Sequence, residues 1–376
     1  MRVLLATPAY WPAVAFGGPT RAAKELAEEL VRQGHDVEVV TTSLLTVDGA
    51  PASRRRTHTE TIGGVTVHYL ATPLRYRWMG VTPSLPIRLR GLQRPDVVHL
   101  FGFRDVVTTT TSWWARARRI PYVFEPLAMY VPRYRNRPLK RGFDALLGHP
   151  LARHARLVIA VSELERADLI AAGLPGDRVV VRSNGFPAPA EAEPWLRGEL
   201  GLDNSEPLVL NVGRLSHSKG LDLLVEAVAG LPDVHLAIVG PDDNDGTRGR
   251  LLATADDRVH ILGPTDERGV RGAYGEADVF VLPSRTESFG IVAAEAAAQG
   301  SAIIVTDHCG IAELLKDRGA IVVPVEASAI REAIRGLLDD AELRARLGDG
   351  ARSVARETSW ERLATQQLEI YRRALG

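Results

Sequence analysis

"ADVFVLPSRTESFGIVAAEAAAQGSAIIVTD", residues 277–307, is the stretch whose reading decides the fold. Its first seven residues are short, apolar and β-branched and end in proline, which marks a buried strand. "GIVAAEAAAQG" predicts a helix over about 290–299, and "SAIIVTD" reads as the next strand. Glu287 then falls in a strand-to-helix turn and Glu295 about one and a half turns into the helix. In an open parallel sheet, ligands bind at the carboxyl ends of strands, where the following helix presents unpaired N–H groups and phosphate is the favoured guest. A carboxylate at 287 also suits the helix dipole and one at 295 also suits a solvated helix face, so the turn alone leaves both readings open. Ala293, Ala294, Ala296, Ala297 and Ala298 make a thin helix that packs closely, which favours a partner for Glu295.

The same alternation runs through the chain. Before residue 188 the strands are "RVLLATP", "DVEVVTT", "VTVHYL", "DVVHLFG", "PYVFEP" and "RLVIAVS", with the helix "GPTRAAKELAEELVRQG" between the first two. After it come "PLVLNVG", "VHLAIVG", "RVHILG", "DVFVLP" and "SAIIVTD", with helices at about 219–230, 290–299 and 328–348. Strands alternating with helices predict two doubly wound, Rossmann-like α/β domains, 1–187 and 188–358, facing a central cleft. "PAPAEAEPWLRGELGLDNSE" has no strand pattern, and its first half is expected to be the linker. The amphipathic tail, 359–376, is expected to be a helix packing back on the first domain through Trp360, Leu363, Leu368 and Tyr371.

Composition narrows the class. At 376 residues, 45% hydrophobic and 24% charged, the chain is long enough for two globular cores. Its single cysteine, Cys309, excludes an internal disulfide and fits a reducing compartment. The apolar N-terminus is interrupted by Pro8 and Pro12 and reads as a first strand, and no stretch is long enough to span a bilayer. Net charge is zero, yet residues 1–188 carry +11 and residues 189–376 carry −11. The first half is the basic one.

"NVGRLSHSKGLDLLVEA" ends a strand at Gly213, places Arg214 and Lys219 five residues apart and opens a helix with Gly220. Two cations in a strand-to-helix loop suit a diphosphate, Arg as a fork and Lys as a point charge. Lysine is the sharper signal, since Lys24, Lys140, Lys219 and Lys316 are the only four in the sequence.

"VGRLSHSKGLDLL" and "PSRTESFGIVAAEAAAQGSAIIVTDHCGIAEL" together resemble the nucleotide-sugar site of the family 4 glycosyltransferases, retaining enzymes of the GT-B fold. The resemblance extends over nearly the whole chain. "FGGPTRAAKELAEELVRQGHDVEVVTT" is similar to the family's N-terminal Gly-Gly loop, with Gly17 and Gly18, and "VVVRSNGF" to its Asn-Gly turn at Asn184. The resemblance implies that Glu287 lies beside the donor sugar hydroxyls and that N–H groups around Phe289, Gly290 and Ile291 face the distal phosphate. Glu295 would accept from the ribose hydroxyls, while Arg214 and Lys219 hold the diphosphate as it leaves. It also implies that the first domain binds the acceptor and the second the nucleotide-sugar. The expected activity is sugar transfer to a hydroxyl of a glycan, lipid-linked or small-molecule acceptor, in polysaccharide, glycolipid or natural-product glycoside synthesis, with no metal or other cofactor.

Departures from the family pattern bear on single positions. The family's strand often reads Asp-x-x-His-x-His, and the second His contacts the sugar; here "DVVHLFGFRD" has His99 but Phe101 in that place, with Glu125 on the next strand a candidate substitute. "PDDNDG" contains Asp243 and Asp245 in the Asp-x-Asp spacing used by metal-dependent transferases of another fold, but among turn formers it reads as a solvated loop. The rivals are a nucleotide-sugar 2-epimerase on the same fold and a non-catalytic nucleotide-sugar or glycan binder. A dinucleotide oxidoreductase lacks its G-x-G-x-x-G after the first strand. "PLRYRWMGVTPSLPIRLRGLQR" and "MYVPRYRNRPLKRGF" mix arginines with Trp78, Met79, Tyr130 and Tyr134, which predicts peripheral contact with an anionic membrane. The expected location is the cytoplasm, at the inner face of the plasma membrane, and no nucleic-acid module accompanies the basic face.

Overall fold

The structure, a computed structural model, describes residues 1–46, 56–76, 79–132 and 141–376. It contains two compact units, Met1–Asn184 with Trp360–Gly376, and Gly185–Ser359.

The first unit is built on an eight-stranded sheet. Its strands are β1 (Arg2–Ala6), β2 (Asp36–Thr42), β3 (His58–Ile62), β4 (Val65–Leu70), β7 (Val97–Phe101), β8 (Tyr122–Glu125), β9 (Leu157–Ala160) and β10 (Val179–Val181). They lie in the order β10-β9-β8-β7-β1-β2-β4-β3, parallel throughout except for β3 against β4. β7 and β8 are buried at every residue because helices cover both faces, and such strands read as continuous apolar runs. A small hairpin, β5 (Leu74–Tyr76) with β6 (Met79–Val81), stands apart from this sheet. The last helix, Trp360–Leu375, buries Trp360, Leu363, Leu368, Ile370 and Tyr371 within this unit.

The second unit has six parallel strands, β11 (Leu208–Val212), β12 (His235–Val239), β13 (Val259–Leu262), β14 (Val279–Leu282), β15 (Ile303–Thr306) and β16 (Ala320–Val323). Their order is β13-β12-β11-β14-β15-β16. The chain builds outward from β11 in one direction, returns to the centre at β14 and builds outward in the other. The point of reversal lies between β11 and β14, which is where doubly wound sheets open a crevice for ligand.

Three local readings change. The helix expected over 328–348 is two, Ala327–Asp339 and Ala341–Glu357, because the Asp340 carboxylate caps the second by accepting from the Leu343 N–H at 2.8 Å. Lys219 precedes its helix: His217–Lys219 form a 3-10 turn, and the helix runs Leu221–Ala229. The segment "PAPAEAEP" belongs wholly to the second unit, where the Glu276 carboxylate accepts from the N–H groups of Trp195, Leu196 and Arg197 and so caps the helix Leu196–Leu200.

Candidate active site

The loops leaving β11 and β14, the two strands at the point of reversal, carry Lys219 and Glu287, and these side chains form an ion pair. The approach depends on Gly220, whose φ is 64° and where a Cβ would sit 2.1 Å from the Pro283 carbonyl oxygen at the end of β14. Only glycine lets the lysine turn come this close. Glu287 is fixed through its backbone: its N–H donates to the His308 carbonyl at 3.1 Å, and its carbonyl accepts from Gly310 at 3.0 Å. Both side chains keep some access to water, 19% for Lys219 and 16% for Glu287.

Beyond Glu287 the chain turns through Gly290, at φ 108°, into the helix Ile291–Gln299. A Cβ on Gly290 would meet Leu282 at 2.9 Å and Ile311 at 3.3 Å. The first N–H groups of that helix have no intrahelical partner, so an anion is favoured there. Phe289 is an anchor: its ring is buried edge-on against Phe186 at 6.1 Å, and its carbonyl accepts from Ile311 at 2.8 Å. On the helix, Glu295 accepts from the Tyr274 hydroxyl at 3.2 Å, while all five alanines around it are buried. Cys309 is a small packing residue, its thiol pushed up to about 12 by burial.

Arg214, beside Gly213 at the end of β11, binds Asp243 at 2.7 Å. The loop "PDDNDG" is largely exposed, as its reading as a solvated loop expects, and its two aspartates also have partners. Asp243 is taken up by Arg214, and Asp245 accepts from the backbone N–H of His217 at 3.1 Å and of Thr247 at 2.9 Å. Among the described residues, no group of three or more His, Cys, Asp or Glu side chains is placed to hold a metal ion.

The first-unit residues separate. Gly17 and Gly18 lie at the start of the helix Gly18–Arg32, in the loop that follows β1. His99, Phe101 and Glu125 are enclosed in the core. His99 Nδ1 lies 2.8 Å from the Tyr371 hydroxyl, its Nε2 lies 3.2 Å from Glu125, and Glu125 is ion-paired with Arg182. Burial outweighs the pull of Glu125 and lowers the His99 pKa, whereas Arg182 and His99 together outweigh burial at Glu125 and lower its pKa. With no surface and with these partners, His99 and Glu125 hold the fold together, and the reading of Glu125 as a substitute sugar contact is withdrawn. Asn184 is buried at the end of the first unit. Tyr130 is likewise a core residue, packed on Phe103 at 5.4 Å, while Trp78, Tyr134 and Lys140 lie outside the described residues.

Sequence reasoning did not find Arg285, Asp222 or Tyr274. Arg285 stands inside the most informative motif, but one arginine in an arginine-rich chain gives no signal until its partners are seen.

A family model described as Glycosyl transferases group 1 matches residues 194–354, and one described as Glycosyl transferase 4-like domain matches residues 17–185. A D-inositol 3-phosphate glycosyltransferase from Xylanimonas cellulosilytica is 30% identical, over 95% of this chain and 92% of the relative. The chain belongs to the family 4 glycosyltransferases. The fold of this glycosyltransferase is shared with sucrose-phosphate synthase from Thermosynechococcus elongatus, at a TM-score of 0.77 and 22% identity over 99% of this chain and 98% of that one. It is also shared with HepE from Anabaena, solved in complex with UDP-glucose, at a TM-score of 0.76 and 20% identity over 98% of this chain and 99% of that one. Both are GT-B architectures.

Proposed function

We propose that this glycosyltransferase moves a sugar, with retention of anomeric configuration, from a nucleoside-diphosphate sugar to a hydroxyl acceptor without a metal ion. The observation that carries the reading is the Lys219–Glu287 pair at the reversal point of the second sheet, beside the start of a helix. A diphosphate there meets Lys219, Arg214 and the N–H groups around Gly290 and Ile291, while Glu287 and Glu295 accept from sugar and ribose hydroxyls. As the bond from the anomeric carbon to the phosphate oxygen breaks, Lys219 meets the charge on the leaving diphosphate. The acceptor oxygen bonds to the same face, and its proton passes to the departing phosphate. The engagement of Asp243 with Arg214 and of Asp245 with backbone N–H groups supports a metal-free site. The UDP-glucose complex of HepE and the name of the Xylanimonas relative favour a nucleoside-diphosphate sugar and a polyol-type acceptor.

A screen of nucleotide-sugars by thermal shift identifies the donor, and assay of that donor with an acceptor panel tests transfer. Free nucleoside diphosphate should accumulate only when the acceptor is present, EDTA should leave the rate unchanged, and proton NMR of the product should show the donor's anomeric configuration. Turnover without an acceptor, or a rate abolished by EDTA and restored by Mn²⁺, refutes the reading.

The acceptor side includes a membrane contact. Leu74, Tyr76 and Val81 on the β5–β6 hairpin and Ile87 on the helix Leu85–Gly91 are exposed, and Arg75, Arg88 and Arg90 are interspersed with them. Among the described residues no helix is long and apolar enough to cross a membrane. Apolar side chains set among arginines suit the surface of an anionic bilayer. A cytoplasmic setting agrees with the single, buried, unpaired Cys309.

A further inference from the structure

The turn that carries Lys219 is a single 3-10 turn, too short to hold its own shape, and two neighbouring loops grip it. Arg285, two residues before Glu287, donates its backbone N–H to the Ser218 carbonyl at 2.9 Å and its Nη1 to the His217 carbonyl at 3.2 Å. The same guanidinium forms a two-point bond with Asp222, each contact 2.7 Å, and Asp222 is the second residue of the helix Leu221–Ala229 that follows the turn. From the other side, Asp245 accepts from the His217 N–H at 3.1 Å. Both polar groups of the His217 backbone are thus bonded to charged side chains, Arg285 from the β14 loop and Asp245 from the β12 loop.

We propose that Arg285, braced by Asp222 and opposed across the turn by Asp245 on the His217 N–H, is a positioning residue that fixes where Lys219 stands at the diphosphate. This rests on the reading of Lys219 as a diphosphate ligand. A lysine is a point charge on a flexible stem, so its usefulness depends on the backbone beneath it being held. The Arg285 fork is turned onto Asp222 and the turn backbone. Arginine is suited to this because one planar group satisfies a carboxylate and a carbonyl together.

Calorimetric titration of the full chain with UDP, GDP and ADP separates the possibilities, using Lys219→Ala, Arg285→Ala, Arg285→Lys, Asp222→Asn and the Lys219→Ala/Arg285→Ala double variant. For whichever nucleotide binds the native protein, Arg285→Ala should weaken affinity about tenfold, and the double variant should bind no more weakly than Lys219→Ala alone, because the arginine acts through the lysine. Arg285→Lys should recover part of the loss, and Asp222→Asn, which leaves Arg285 in place, should weaken binding in the same direction. In turnover the donor KM should rise while the acceptor KM stays unchanged, a split that general destabilisation does not produce. If Asp222→Asn tightens binding, or the losses in the double variant multiply, Arg285 is itself a phosphate ligand and the proposal is overturned. If Lys219→Ala binds as tightly as the native protein, the reading of Lys219 fails and the proposal with it. Should Arg285→Ala not fold, Asp222→Asn and Arg285→Lys decide alone.

Discussion

Lys219 and Glu287 neutralise each other in the structure, so on the proposed reading a donor exchanges that pairing for contacts with its phosphate and its sugar. The two site glutamates are then distinguishable. Glu295, hydrogen-bonded to Tyr274 on the helix flank, should serve the ribose equally in ground and transition states, so Glu295→Gln should chiefly raise the donor KM. On the proposed reading Glu287 stands nearer the reacting sugar, and Glu287→Gln should lower kcat and kcat/KM together. Because the substitution leaves Lys219 with its charge uncompensated, calorimetry should show bare nucleoside diphosphate binding at least as tightly as in the native protein. Weaker binding in Glu287→Gln than in Glu295→Gln would reverse the assignment. A second residue gives a pH test away from the site. Asp105 caps the helix Val106–Ala117, accepting from the Thr108 N–H at 2.8 Å and its hydroxyl at 2.6 Å, and burial pushes the carboxyl from 3.8 up to about 6. A carboxyl whose pKa is raised on folding contributes stability that is complete below the unfolded value and is lost as pH rises through the folded one. Asp105→Asn keeps the capping oxygen without the ionisation. Urea midpoints should therefore fall less between pH 4 and pH 7 in the variant than in the native protein, and equal slopes would show that Asp105 does not titrate in this range.

At the scale of elements, the strands most legible in the sequence are the continuous apolar runs, although "RVHILG", a half-buried edge, was legible too. "DVVHLFG", "RLVIAVS" and "DVFVLP" are runs of β-branched and apolar residues, and all became parallel strands. Those not anticipated have weaker signals: β3, "HTETI", is a polar edge of alternating burial, and β10 and β16 are short edges of three and four residues. The site divides in the same way. Lys219, Glu287 and Glu295 stood out because each is a charge in a turn or on a thin alanine helix. Arg285 and Asp222 did not, because Arg285 holds carbonyls of another loop and Asp222 holds Arg285, and neither contact leaves a mark in a sequence; Asp245 stood out only as half of an Asp-x-Asp, not as an acceptor from backbone N–H groups. Exposure also had to be seen. Tyr130 looked like an interfacial aromatic and is in the core, whereas Leu74 and Ile87 are 67% and 73% exposed. Co-sedimentation with anionic vesicles at low salt should thus fall several-fold in a Leu74→Asp/Ile87→Asp variant, and high salt should release the native protein. Unchanged sedimentation of the double variant would remove the hairpin from the membrane reading.

At the scale of the molecule, the chain leaves its first unit at Asn184 and re-enters it at Trp360, so the last helix completes a core begun more than three hundred residues earlier. The tie is polar as well as apolar. Tyr371 lies on the helix face that includes Trp360, Leu363 and Leu368, and its hydroxyl reaches His99 in β7, which stands between it and the Glu125–Arg182 ion pair. Such a pair is tolerated inside a protein only while its partners remain complete, since a lone buried charge is far costlier than the pair. Tyr371→Phe keeps the ring and removes one oxygen, leaving His99 Nδ1 without its partner in a closed core. An unsatisfied buried group costs about 1–3 kcal/mol, so the urea midpoint of the first unit should drop by the equivalent amount. Glu125→Gln should cost more, about 3–5 kcal/mol, because Arg182 then carries an uncompensated charge. Neither substitution touches the second unit, so nucleoside diphosphate affinity measured well below the unfolding transition should be unchanged. If Tyr371→Phe unfolds at the native midpoint, the contact with His99 contributes nothing, and the helix is held by its apolar face alone.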